Sequence, residues 1–118
     1  MANLNPGLGT EAGKVRPVVI VQTDLLNDYH PSTIICPITT NISGKYPELR
    51  VRLQKQKSGL QNKSEIMIDQ IRTIDLKRLR RKIGNVPEET MRELEYWLAK
   101  ILNIQSGTPS APILLYSL

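Results

Sequence analysis

The segment Arg16-Pro17-Val18-Val19-Ile20-Val21-Gln22 constrains this chain more than any other, because a run of β-branched residues follows directly on a proline. Such side chains are stiff at χ1 and crowd a helix, yet pack well on a pleated surface. Val18 to Gln22 is therefore expected to be a strand buried on both faces. Pro17 locks its own φ and pushes Arg16 into an extended conformation. The Arg16 guanidinium is thus held at the mouth of a buried strand, where its rigid fork of donors suits a phosphate or a carboxylate.

The rest of the chain reads as further short strands and one helix. Thr33 to Thr39 is a second apolar strand, separated from the first by the polar, turn-rich stretch Thr23 to Pro31. A third alternates over Glu48 to Leu53, with Leu49, Val51 and Leu53 on one face and Glu48, Arg50 and Arg52 on a solvated, positive one. After a Lys/Gln/Gly-rich loop, Ser64 to Arg72 reads as a fourth strand, with Ile66, Ile68 and Ile74 expected to be buried. Thr73 to Asp75 reads as a helix start ahead of the basic run Leu76 to Arg81, and Lys82 to Val86 as a brief fifth strand.

Pro87 suits a first helical position, and Glu88 and Glu89 suit the positive end of a helix dipole. Met91, Leu94, Leu98, Ile101 and Leu102 then recur at helical spacing, with Trp97 beside that stripe as a packing residue or, less simply, a ligand contact. The fold class these elements imply is α+β, mainly β: a small, partly open antiparallel barrel with a C-terminal amphipathic helix. The body is expected over residues 1–104, followed by a flexible tail over 105–118 that carries the apolar Ile113 to Tyr116.

Composition narrows the function. A chain of 118 residues is long enough for one modest core, and its formal net charge of +5 favours a polyanionic or acidic partner. The single cysteine, Cys36, lies in the apolar run Thr33 to Ile38 and reads as a small buried hydrophobe, ahead of a catalytic thiol or a disulfide partner. No apolar N-terminal h-region and no run of about 20 apolar residues occurs, so a cytoplasmic protein without membrane insertion is expected.

Three polar groups fall at strand ends: Arg16; Thr39 with Thr40; and Asp69 with Gln70 and Arg72. Antiparallel pairing can bring such ends into one pocket. Other chemistries lack their residues. His30 is the only histidine, which rules out a two-histidine acid–base pair within one chain. No Cys/His cluster or dense carboxylate set points to zinc or to a two-metal nuclease, and no phosphate-binding glycine motif is present, so neither metal nor cofactor is expected. With no Phe and one Trp, nucleic-acid contact must rest on charge and hydrogen bonds instead of base stacking.

Several motifs occur together and in order: Glu11-Ala-Gly-Lys-Val-Arg16-Pro-Val-Val-Ile, Pro37-Ile-Thr39-Thr, Tyr46-Pro-Glu-Leu-Arg-Val, Asp69-Gln-Ile-Arg72-Thr-Ile-Asp75 and Gly84-Asn-Val-Pro-Glu-Glu-Thr-Met91. In these, from about Ala2 to Ile104, the chain resembles the MazF/PemK toxins of type II toxin–antitoxin modules. The resemblance implies an SH3-like barrel of the type shared with CcdB toxins, a cytoplasmic homodimer, and a metal-independent, sequence-specific endoribonuclease acting on single-stranded RNA. It also implies a cognate antitoxin whose acidic, disordered segment lies in the RNA groove, and DNA binding by the toxin–antitoxin complex. Arg16 matches the family's arginine at the scissile phosphate and Thr39 its threonine or serine partner. Asp69 and Glu11 match acidic positions, and either is the candidate base. Lys14, Thr40, Lys45, Arg50, Arg52, Gln70 and Arg72 are the expected RNA-binding residues.

Two departures carry expectations of their own. Thr10 stands where some members have a catalytic histidine. Family members also begin with a Gly-Asp-hydrophobic strand before the segment that here reads Ala2 to Gly7, so the first strand is expected to be missing or cut short. That would expose a sheet edge, for which Ile113 to Tyr116 is one candidate cover. The rival readings are a CcdB-like topoisomerase poison without chemistry and a catalytically silent RNA-binding module.

Overall fold

The computed structural model describes residues 1–5, 15–42, 44–54, 60, 62–104 and 114–117. Its strands are β1 (Ala2–Asn3), β2 (Val15–Arg16), β3 (Val18–Ile20), β4 (Ser32–Thr39), β5 (Arg50–Leu53), β6 (Ser64–Met67) and β7 (Arg72–Asp75). The helices are a short α1 (Asp24–Asn27) and a long α2 (Glu88–Ile101). β4 is the hub. On one edge it pairs with β3; on the other its first half pairs with β7 and its end with β6, and β5 lies outside β6. All the pairings are antiparallel, and the described strands do not close into a barrel.

The eight residues of β4 explain its place. Ile35, Cys36, Pro37 and Ile38 are all buried, so both faces of the strand are covered. One face joins Cys36 and Ile38 to Val19, Val51, Leu53, Ile66, Ile68 and Leu94 in the main core. The other joins Ile35 to Ala2, Leu4 and Ile74 in a smaller core. A strand with apolar side chains on both faces is stable only where both are packed, which is why this one lies inside the fold.

Several expectations need correcting. Pro47–Leu49 forms a 3-10 turn, because Pro47 cannot donate to a ladder, so the third strand begins only at Arg50. The expected fourth strand breaks at a second 3-10 turn, Ile68–Gln70, and the expected helix start at Thr73 is strand β7, with Ile74 opposite Thr33. Asp75 still caps, but caps the 3-10 turn Leu76–Arg78, by accepting the Lys77 N–H at 2.8 Å. Lys82 to Val86 pairs with no strand and runs irregularly past β3 and β5, bordering a cavity of about 520 Å³ that includes Val18, Ile20, Leu53 and Leu60.

At the N-terminus the first strand is short and its packing is made by few residues. Ala2–Asn3 makes a two-residue strand, and Ala2 and Leu4 are fully buried. Ala2 pairs with Arg16 and bridges to Leu79, while Arg80 donates its N–H to the Met1 carbonyl. Leu114, Leu115 and Tyr116 are exposed and cover no sheet edge; Ile113 lies outside the described residues.

α2 starts after Pro87, and Glu88 pairs with Arg92 one turn on at 2.6 Å. Leu94 is its fully buried residue, with Met91, Trp97 and Leu98 packed at the core's margin. Ile101 and Leu102 are exposed, so the apolar stripe outruns the sheet it covers. The helix stops where Asn103 takes φ 56°, with the Asn103 and Ile104 N–H groups donating back to Lys100 and Ala99. That is a Schellman ending, and asparagine tolerates the left-handed turn it needs. Among the described residues no helix is long and apolar enough to cross a membrane.

Candidate active site on the arginine-bearing sheet face

Register decides which polar residues meet. Val18 lies opposite Pro37 and Val19 opposite Cys36, and the Ile38 N–H donates to the Pro17 carbonyl at 2.9 Å. Continuing this register sets Arg16 opposite Thr39. On the other side of β4, Thr39 lies opposite Glu65, and Glu65 opposite Arg52. Directly opposed residues point to the same face of a sheet. Thr39, Glu65 and Arg52 therefore form one row across β4, β6 and β5, on the face opposite the core residues Ile38, Ile66, Val51 and Leu53. Arg16, which belongs to the separate β1–β2 pair, falls at the Thr39 end of that row by continuation of the β3–β4 register.

Each position has a local cause. Arg16 is half-buried, and its backbone is clamped on one side by Ala2. Its neighbour Pro17 supplies a carbonyl but no N–H, so the strand keeps a single hydrogen bond to β4 at that step. Thr39 ends β4, and its hydroxyl oxygen accepts the Asn41 N–H at 3.1 Å, which turns the chain and leaves the O–H proton able to donate elsewhere. Arg52 is exposed, whereas Glu65 beside it is buried at 8% exposure; the guanidinium nitrogen and carboxylate oxygen of the pair are 4.0 Å apart.

Asp69 lies apart from this row. It occupies the 3-10 turn beyond β6, and its carboxylate accepts a 2.5 Å charge-assisted hydrogen bond from Arg50, which also donates to the Leu49 carbonyl. Arg50 and Arg52 share a strand face, so the third strand's expected positive face exists, with Arg50 partly neutralised. Arg72 sits opposite Ile35, four residues back along β4 from Thr39, or on the order of 13 Å at strand spacing. Gln70 is half-buried in the 3-10 turn, and Thr40 and Lys45 are exposed beyond β4. Glu11 and Lys14, and Thr10 with them, lie outside the described residues.

Glu65 escaped the sequence reading. Its signal was the alternation of β6 itself: a residue next to buried Ile66 must face the other way, with Arg50 and Arg52. Only the register shows that it meets Thr39.

The buried Cys36 is no nucleophile. Its thiol is pushed up to about 12 from 9.0, first by burial and then by the negative charge of Asp69. The thiol stays neutral in the folded chain while the unfolded chain ionises near pH 9. The stability it contributes is thus complete below pH 9 and falls by about 1.4 kcal/mol per pH unit between 9 and 12. A Cys36→Ala variant should show a shallower alkaline decline in urea midpoints than the parent, and iodoacetamide at pH 8 should label the parent only once urea unfolds it.

The comparisons agree with this architecture. The family model described as PemK-like, MazF-like toxin of type II toxin-antitoxin system matches residues 1–102. The Endoribonuclease MazF of Staphylococcus epidermidis is 41% identical over 95 residues, covering 80% of this chain and 79% of that protein. In fold, the chain is similar to the crystal structure of MazF from Deinococcus radiodurans, with a TM-score of 0.75 at 22% identity over 87% of this chain and 90% of that one. A MazE-MazF crystal structure from the same organism gives a TM-score of 0.71 at 24% identity over 88% and 90%. With the family's motifs in order, its model matched across the body, and Arg16 and Thr39 brought into register, this chain belongs to the PemK-like, MazF-like toxins of type II toxin–antitoxin systems.

Proposed function

We propose that this chain is the toxin of such a pair and a sequence-specific, metal-independent endoribonuclease acting on single-stranded RNA. The observation that carries the proposal is the β3–β4 register with the Ile38 to Pro17 hydrogen bond, whose continuation sets Arg16 opposite Thr39 beside the cationic face of β5. In the reaction, the ribose 2′-oxygen attacks the adjacent phosphorus as its proton leaves to a base. The bond from phosphorus to the 5′-oxygen breaks, that oxygen takes up a proton, and a 2′,3′-cyclic phosphate and a 5′-hydroxyl result. Arg16 stabilises the charge that builds on the phosphoryl oxygens, and Thr39 orients the phosphate with its O–H. Asp69 is one candidate base: its Oδ1 is held by Arg50, which leaves Oδ2 to accept the proton. Glu11, in the loop that leads to Arg16, is the other carboxylate in that role. Lys14, Thr40, Lys45, Arg50, Arg52, Gln70 and Arg72 line the RNA path.

The MazE-MazF complex among similar structures supports an antitoxin partner, whose acidic segment would lie along the same arginines. The homodimer, the cytoplasmic setting and DNA binding by the toxin–antitoxin complex belong to the same proposal. The family match favours RNA cleavage over a CcdB-like attack on topoisomerase.

The test is cleavage of a long single-stranded RNA in excess EDTA. Cleavage at an undiminished rate, 2′,3′-cyclic phosphate ends by mass spectrometry, and loss of any one cut on 2′-deoxy substitution at that nucleotide are the expected results. RNA bound but left intact would establish the silent-module reading, and a chain that instead captures gyrase would establish the poison.

A further inference from the structure

Glu65 is out of keeping with its surroundings. It is a carboxylate set among Arg16, Arg50 and Arg52 on a face suited to phosphates, which it must repel. It is buried, it stands on a strand between the buried Ser64 and Ile66, and its nearest cation, Arg52, is 4.0 Å away. That distance is beyond a hydrogen bond, so among the described residues no donor reaches its oxygens. An ionised carboxylate only accepts hydrogen bonds, and since no described side-chain oxygen is both buried and unpartnered, the oxygens of Glu65, whose side chain is 11% exposed, stay open to solvent and to a donor on a bound molecule. Arg52 offsets the charge without occupying the oxygens.

We propose that Glu65 is a specificity-determining residue, an acceptor in the floor of the RNA groove that selects a nucleobase carrying an amino group beside the cleaved phosphate. This rests on the endoribonuclease reading, in which Arg16 and Thr39 mark that phosphate. Glu65 is Thr39's cross-strand neighbour, about 5 Å away at strand spacing, which places its carboxylate beside the phosphate and within reach of an adjoining base. Cytosine, adenine and guanine each present an exocyclic amino group to such an acceptor. Uracil offers one N–H flanked by two carbonyls, whose oxygens the carboxylate repels. Mounting on a strand, with the Arg52 guanidinium alongside, gives the fixed geometry that discrimination by hydrogen bonding needs.

The experiment maps cleavage ends on a pool of random single-stranded RNA for the parent chain, Glu65→Gln and Glu65→Leu, with folding checked by circular dichroism. The parent should disfavour uracil at one position flanking the cut by ~10-fold to ~100-fold. Glu65→Leu should cut uracil-bearing sites at rates close to those of the former preferred sites. Glu65→Gln keeps the side chain's volume and guards against a folding defect; its amide donor should shift the same position toward uracil. Parent cut sites that accept uracil equally at every flanking position would overturn the inference, as would folded variants with unchanged preferences. A uniform loss of rate at all sites in folded Glu65→Gln would also overturn it, showing a role in proton transfer. If the parent cuts no RNA, the endoribonuclease reading falls and this one with it; a parent that cuts with selectivity independent of Glu65 sinks this inference alone.

Discussion

An Arg16→Ala variant is expected to fold normally and to lose ~10²-fold to ~10³-fold in single-turnover RNA cleavage, the size of effect seen when one preorganised stabilising donor is removed from a reacting centre. Folding should survive because the pairing of Arg16 with Ala2 uses the backbone, and because neither buried core includes the arginine side chain. The loss should fall on the cleavage rate more than on RNA affinity, since the groove keeps Arg50, Arg52 and Arg72 for ground-state binding. Arg16→Lys should recover only part of it, because a point charge cannot span two phosphoryl oxygens as a planar fork does. Cleavage by Arg16→Ala at the parental rate would remove Arg16 from the chemistry. A parallel loss in affinity and rate would make it a binding residue only.

The largest expected effect on stability comes from Leu94→Ala. Leu94 has no solvent exposure and is the helical residue that enters the main core, where it is clustered with Val51, Leu53 and Ile68. Truncating a buried leucine removes its transfer free energy and leaves a cavity, at a cost of about 2–5 kcal/mol. A domain of this size is stable by only about 5–15 kcal/mol, so the variant should show a much lower urea midpoint and a lower Tm. Leu98→Ala, at a half-buried position one turn further on, should cost visibly less. Function is tied to the same contact: α2 packs on β5 and on the Ile68–Gln70 turn, the elements that carry Arg50, Arg52 and Asp69. Equal midpoints for Leu94→Ala and the parent would show that the helix is not held through this residue.

Local chemistry announced much of this. β-branched runs predicted β3 and β4, but β3 ends at Ile20 instead of Gln22 and is not buried on both faces, since only Val19 is buried and Ile20 is exposed. The alternation of Val51 and Leu53 with Arg50 and Arg52 predicted the two faces of β5. Pro87 with the glutamates after it predicted the start of α2. The misses share a physical origin. Thr73 to Asp75 has the composition of a helix cap, but pairing Ile74 with Thr33 buries Ile74 and satisfies a ladder, and long-range pairing outweighs a weak local preference. Lys82 to Val86 failed in the opposite way: short of apolar side chains and without a partner strand, it stays irregular. At the N-terminus the strand is as short as expected, but the sequence did not show that Ala2 and Leu4 would be buried, because the surface they pack on, β2, Ile35, Ile74 and Leu79, is assembled from distant parts of the chain.

The amino-acid order alone singled out Arg16 and Thr39 as candidates, Pro17 and the end of a buried strand restricting the backbone near each and the family resemblance supplying their proposed roles. It could not say which carboxylate stands beside them. Asp69 is as near as Glu65 in motif terms, but folding gives Asp69 to Arg50 and sets Glu65 next to Thr39. The physical reason is register. In an antiparallel sheet, a shift of one residue turns a side chain to the other face, and the pairing of β4, β6 and β5 is settled by the core that Ile38, Ile66 and Val51 build on the opposite side. The apolar face thereby determines the polar row, through contacts between residues far apart in the chain.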